Sequence, residues 1–460
     1  MTAQAQSDAS LPLAPASAEY PPVGYAWFVV GALSIVNMMS YVERQILTLL
    51  FAPIKRDFQL TDTQVSLLAG AAFVIFFVVF GLLFGRLADR GNRKRIIMLG
   101  ALFWGLATAA CGAAQNFIQL FIARISVGIG EASLGPSALS TISDYFPRHK
   151  LARAISFYTG AQYVGAGLAL VVGGLAIHLV AQLPPIVLPG VGVLRPWQMT
   201  FVLVGLGGLL VLIPMSFVKE PERRGVAKST GPAGANRGEM RAFLGANRRM
   251  LASHFVGFAL SSMLGFGVVA WVPTFFIRVH GWAAQDIGYV YGAILAVMGG
   301  AGVLAGGRIA EWMEARGVKD AYFLLPMMSA STTMVLFISA MFAPTAGLAL
   351  GLLVCSTFFS SFPVSLIMTA LQAVAPNQLR GQLTALFSFV TNLLGVATGP
   401  TVVAVLTDYL YRDEQAVGLS LATASAIITP LVVILLAIGR PGLRDSLERS
   451  TRLYEGRPAG

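Results

Sequence analysis

Apolar stretches of about 20 residues recur along nearly the whole chain, separated by short charged turns, and that recurrence leaves few folds open. An α-helix rises about 1.5 Å per residue, so roughly 20 apolar residues cross the hydrocarbon core of a bilayer. Twelve segments reach that length: roughly 25–50, 64–87, 95–113, 117–142, 151–180, 197–217, 250–277, 285–312, 321–343, 345–372, 382–408 and 416–439. Length alone suggests about three soluble domains. Composition overrules that: 12% of the 460 residues are charged, about half the share of a soluble chain. With 56% hydrophobic residues and a mean hydropathy of +0.73, lipid is the expected solvent.

The net charge of +11 does not point to nucleic acid. No Lys/Arg run is interleaved with aromatics as a nucleic-acid face requires. Lys and Arg collect in the cytoplasmic loops of membrane proteins, and with the N-terminus inside, 25 of the 32 basic residues fall in inside loops. Five fall outside (Lys55, Arg56, Arg195, Arg278, Arg412), and Arg44 and Arg124 lie within helices. That bias predicts both termini cytoplasmic, in the inner membrane of a cell. Residues 1–22, rich in Ala, Ser and Pro without a basic leader, read as a disordered cytoplasmic tail. Cys111 and Cys355 fall in apolar helices and read as packing residues. Neither a metal-ligand spacing nor a nucleophile–base set is visible, so neither cofactor nor enzyme chemistry is expected.

A long basic stretch, residues 218–249, divides the chain into expected bundles at 23–217 and 250–440, followed by a tail at 441–460. A related pattern follows the second helix of each half. Gly85-Arg86-Leu87-Ala88-Asp89-Arg90 in the first answers Gly307-Arg308-Ile309-Ala310-Glu311 in the second, 222 residues later. A duplicated unit explains the match.

Gly85 to Arg95 resembles the signature loop between helices 2 and 3 of the major facilitator superfamily. Lys219-Glu220-Pro221-Glu222 resembles the ending of that family's first half. The resemblance spans residues 25–440. It implies an all-α membrane protein of twelve transmembrane helices in two pseudo-symmetric six-helix bundles, a secondary transporter rather than an enzyme. Gly85 would let helices approach closely, and Gly91 would permit the turn before helix 3. By the same resemblance, Asp89 would cap the N-terminus of helix 11 near Gly381–Thr384, with Arg90 and Arg93 in the same gating motif. That contact would hold the cytoplasmic side shut in the outward-facing state.

Ionisable groups inside a span are costly and usually functional. They concentrate here in the first half: Glu43 and Arg44 on helix 1, Arg124 and Glu131 on helix 4. Arg124 and Glu131, seven apart, share a face about 10 Å apart along the axis. Glu43 and Arg44 point about 100° apart. Arg124 lies at the depth to pair with Glu43, Glu131 lies nearer the midplane, and Gly128 leaves room for an incoming group. Glu131 is the first candidate proton carrier and Glu43 the second, with Arg44 and Arg124 as counter-charges or anion ligands. The alternative is an ion-pair network that only fixes helix 1 against helix 4.

The second half offers softer candidates for substrate contact: Trp271, Ser356, Ser360 and Asn392, with Thr357, Ser361 and Thr391 beside them. Phe255, Phe258, Phe266, Phe358, Phe359 and Phe362 could supply an apolar surface, or could face packing or lipid. His178 and His254 read as ordinary residues near helix ends.

Ser40-Tyr41-Val42-Glu43-Arg44-Gln45, Arg124 through Ser133, and Ser156-Phe157-Tyr158 with Val164-Gly165-Ala166-Gly167 resemble elements of Spinster-type transporters. Glu43 stands where Asp is commoner. Eukaryotic members of that group move sphingosine-1-phosphate or lysophospholipids. The resemblance implies a monomeric, proton-coupled carrier of an amphipathic charged substrate working by alternating access. A symporter of a small organic anion or a multidrug exporter on the same scaffold is the alternative.

Overall fold

The computed structural model describes residues 20–184, 186–188, 192–223, 235–376 and 379–454. The expected tail over 1–22 therefore lies almost wholly outside the described residues, as do residues 224–234 of the central basic stretch.

Among the described residues, eleven helices are long and apolar enough to cross a membrane, and a broken one completes the set. In chain order they are α1 (Val23–Leu49), α2 (Asp62–Ala88), α3 (Arg93–Cys111), α4 (Phe117–Tyr145), α5 (Arg148–Ala181) and α6 (Pro196–Ser216). The second half has α7 (Arg248–His280), α8 (Ala284–Ala315), α9 (Ala321–Met341), α10 (Ala346–Ser360 and Pro363–Val374), α11 (Arg380–Tyr411) and α12 (Val417–Tyr454). Local chemistry sets several ends. Asn92, Asn116 and Thr345 cap α3, α4 and α10 by accepting from the amide three residues on, which meets an otherwise unsatisfied donor. Gly281, at φ 70°, ends α7 in the left-handed conformation.

Three boundaries differ from the sequence expectation. α10 is interrupted at Ser361–Phe362, because Pro363 has no amide to continue the helical ladder. α12 runs through Pro430 and Pro441 to Tyr454, so the tail expected from 441 is helical that far. The central stretch contains a helix, Ala235–Ala246, before α7 begins at Arg248. π-Helical turns occur at Leu295–Gly299 in α8 and at Thr391–Val396 and Leu406–Tyr411 in α11.

Within the first half α1 lies along α5 and α3 crosses α6; in the second, α7 lies along α12. The chain's described ends, the α6–α7 connection and the Gly85–Arg95 loop share one end of the molecule, here the terminal pole. The opposite end is the distal pole. Among the described residues, the close cross-half contacts fall in the distal half. α5 meets α8 so closely that a Cβ on Gly167 would stand 2.4 Å from the Gly292 carbonyl oxygen. A break in α2 at Gly70 lets it pass the Ala397 carbonyl of α11 at similar range. Phe51, just after α1, packs against Trp271 of α7 with ring centroids 5.1 Å apart and the rings tilted by 51°.

Candidate functional site

The four intramembrane charges gather inside the first half, with Arg44 as an expected counter-charge of Glu131 but Arg124 apart from the Glu43 carboxylate. Arg44 Nη2 donates to Glu131 Oε2 at 2.6 Å, joining α1 to α4. The Arg44 guanidinium lies 4.2 Å from the Phe73 ring centroid, 5.0 Å from Tyr41 and 5.5 Å from Phe77. That is cation–π range, where a desolvated Arg gains attraction without a second anion. Glu43, one residue away, turns toward α3 and α6. Its Oε2 accepts from Thr108 Oγ1 at 2.6 Å, while Oε1 lies over Gly208 without a hydrogen-bond partner.

Arg124 does not pair with the Glu43 carboxylate. It donates to two backbone oxygens, Leu68 beside the α2 break at 3.3 Å and Glu43 at 3.4 Å. A guanidinium with five donors in a fixed fork suits that clamp, which serves carbonyls that water cannot reach in lipid. Nor does Gly128 leave room for a ligand, since the Phe73 carbonyl fills the space. Exposure separates the group. Glu43 and Arg124 are 0% exposed and Glu131 2%; the Arg44 side chain is 14% exposed. Glu131 Oε1 and Arg44 Nε lack partners.

The terminal-pole loop carries a second charge assembly. Arg93 is buried and donates from Nε to Glu220 at 2.7 Å and from Nη1 to Asp144. Glu220 also accepts from the Lys94 amide at 2.8 Å. Arg223, in sequence one loop charge among many, donates to the Ala88, Asp89 and Gly91 carbonyls and so closes the C-terminus of α2. Gly91 fits its expected turn, its amide donating to Leu87 at 2.7 Å. Gly85 instead faces open space. Asp89 and Arg90 are exposed, and the Asp89 carboxylate has no partner among the described residues. The expected cap on helix 11 is absent here, and Gly381 is exposed and uncrowded.

The second-half candidates are mostly self-satisfied. Ser360 donates to the Thr357 carbonyl at 3.0 Å and Asn392, in a π-turn, to Ser388 at 2.8 Å. Ser356 is buried. Trp271 is fully buried, its indole N–H donating to Pro400 at 2.8 Å, which makes it a distal-pole packing residue rather than a cavity wall. Phe255 and Phe258 surround a buried His254 together with Phe323 and Phe387. Phe358, Phe359 and Phe362 pack on one another. At the terminal end Asp320 binds Arg440 and Arg444 of α12. Burial alone would raise the Asp320 carboxyl, but the hydrogen bonds from both arginines outweigh it and hold it below its ordinary value.

The Major Facilitator Superfamily sequence pattern matches residues 33–400. Over 401 residues the chain is 27% identical to an MFS-type efflux pump of Mycolicibacterium smegmatis, covering 86% of this chain and 88% of that one. It is also 27% identical to Protein spinster homolog 1 of Xenopus laevis over 84% of this chain and 74% of the relative. In fold it resembles a bacterial homologue of the human lysosomal transporter Spinster, crystallised inward-facing and unoccupied. The TM-score is 0.74 at 24% identity, over 95% of this chain and all of the other.

Proposed function

Because this chain belongs to the Major Facilitator Superfamily of transporters, we propose that it carries an amphipathic charged substrate, of lysolipid or sphingolipid type, coupled to protons by alternating access. The supporting observation is the Arg44–Glu131 pair, a buried carboxylate held at 2.6 Å by the one member of the charge cluster that remains partly exposed. The edge of Arg44 between Tyr41 and Phe77 is where an anionic head can arrive. An arriving anion competes with Glu131 for the guanidinium, and a proton on Glu131, whose Oε1 is free, releases Arg44 for it. Proton and head group then share one cation, which is the physical basis of coupling.

Glu43 and Arg124 act behind this pair. Glu43 is a second proton-holding carboxyl sealed against Gly208, and Arg124 orients α1 and α2 through their carbonyls. Ser356, Ser360 and Asn392 offer the weaker polar contacts of the opposite wall. The charge bias supports a cytoplasmic terminal pole, and the close cross-half packing at the opposite pole supports an inward-facing conformation. The carrier works as a monomer in the inner membrane.

Export of drugs or transport of a small organic anion is the second reading, favoured by the match to an efflux pump and by the packing roles of Phe255, Phe258 and Phe362. Purified protein in liposomes, given a lysolipid and a small aromatic acid side by side under an imposed pH gradient, tests the choice. Gradient-driven movement of the lysolipid is expected; movement of the acid alone would reject the lipid reading.

A further inference from the structure

We infer that Asp408 is a gating residue whose carboxylate, reaching from α11 onto the N-terminus of α2, latches the distal pole shut. Asp408 Oδ2 accepts from the Thr63 amide at 2.6 Å and from the Thr63 hydroxyl at 2.7 Å, and Oδ1 accepts from the Asp62 amide at 3.3 Å. The first amides of a helix have no partner inside it, and the helix dipole draws an anion to them. Thr61 Oγ1 takes the next amide, at Gln64. An acid from the opposite half thus completes the capping of α2.

Neighbouring contacts reinforce the same closure. Arg278 of α7 donates twice to Asp62, at 2.6 and 2.7 Å, and Lys55 donates once at 2.6 Å. The Ser66 hydroxyl reaches Thr401 at 3.1 Å. Asp408 adds what these side-chain pairs lack: it ties a helix backbone to the other half, so the latch opens only if α2 and α11 separate.

α2 and α11 run antiparallel, and the arrangement repeats end for end. At the distal pole the amino end of α2 meets an acid near the carboxyl end of α11. At the terminal pole Gly381 and Gln382, at the amino end of α11, are exposed, and so is Asp89, at the carboxyl end of α2. Rocking one half against the other therefore exchanges one acid–helix contact for its mirror image. The inference rests on the two-ended cycle proposed above, but not on the proton or the substrate.

Full-length protein in lipid nanodiscs, with Cys355→Ser to remove the exposed thiol, can carry spin labels in two pairs. Gln59 with Gln415 reads the distal pole, and Arg95 with Gln382 the terminal pole. Hydrogen bonds to a charged group are worth enough that Asp408→Asn should lower the closed-to-open ratio at the distal pole roughly 10- to 100-fold. The terminal pair should shorten in step. Asp89→Asn should move both distances the other way, and the double variant should return towards the unmodified ratio. Thr63→Val, which removes one donor only, should shift in the same direction as Asp408→Asn by a smaller factor and serves if that variant does not fold. The latch is overturned if Asp408→Asn, or Thr63→Val in its place, leaves both distributions unchanged, or loosens the distal pair alone. Failure of the two-ended cycle reads differently, because Asp89→Asn would then also leave one fixed distance at each pole.

Discussion

The two halves share a frame but place their charge at different depths. The first half carries Glu43, Arg44, Arg124 and Glu131 in the middle of its bundle, bound by one ion pair, a Thr108 hydroxyl and two backbone oxygens. The second half keeps its strongest described ion cluster at its end, where Asp320 holds Arg440 and Arg444, with the aromatic packing around His254 close behind it on the same terminal side. Even the end staples are inverted in sign: α3 begins with an arginine held by acids, whereas α9 follows an acid held by arginines. A duplicated scaffold can therefore concentrate the costly electrostatics in one copy and leave the other to move. The π-turns of α8 and α11 fit that division, since such turns mark places where a helix departs from its regular ladder.

Substitutions can break or sharpen this contrast. The largest effect is expected for Arg44→Ala, which strips Glu131 of its cation and the site of its anion ligand; uptake into proteoliposomes should fall about 100-fold or more. A variant still transporting within threefold of the parent would dissolve the asymmetry. Next comes Arg124→Met, which takes the donor from the Leu68 carbonyl at the α2 break and the second donor from the Glu43 carbonyl. Its stability should drop by about 1–3 kcal/mol in chemical denaturation, with transport per folded molecule affected less than in Arg44→Ala.

Smaller still is Asp320→Asn, expected to lower the melting temperature by a few degrees at neutral pH. The folded-state carboxyl of Asp320 lies below its unfolded value. Its contribution is therefore full above the ordinary carboxylate range and is lost as pH falls through the folded value. The gap between parent and variant should close on acidification; a gap that stayed constant with pH would deny the staple its charge. Smallest are Ser356→Ala and Asn392→Ala, for which uptake rates should stay within about threefold. A larger loss would move part of the chemistry into the second half.

Much of the frame was legible in the sequence, because crossing a bilayer fixes helix length and most spans end within a few residues of where hydropathy placed them. The break in α10 was less visible although Pro363 marks it, since a proline inside an apolar run also fits a kinked helix. The identity of the costly charges was legible too, as was Arg44 as a counter-charge of Glu131, but not the partners of Glu43 and Arg124. Periodicity shows that Glu43 and Arg44 diverge by about 100°, without showing which neighbouring helix each meets. The backbone partners of Arg124 are hidden because the break at Gly70, which places a carbonyl within its reach, leaves no mark in an apolar pattern. Arg223 was hidden among loop charges that the positive-inside bias already explains.

The central claim is that Glu131 hands a proton to the cycle through its pairing with Arg44. Glu131→Gln in proteoliposomes tests it, with substrate exchange at equal pH and accumulation under an imposed pH gradient measured on the same preparation. Exchange should persist while gradient-driven accumulation disappears. Accumulation at the parent level in that variant would contradict the account.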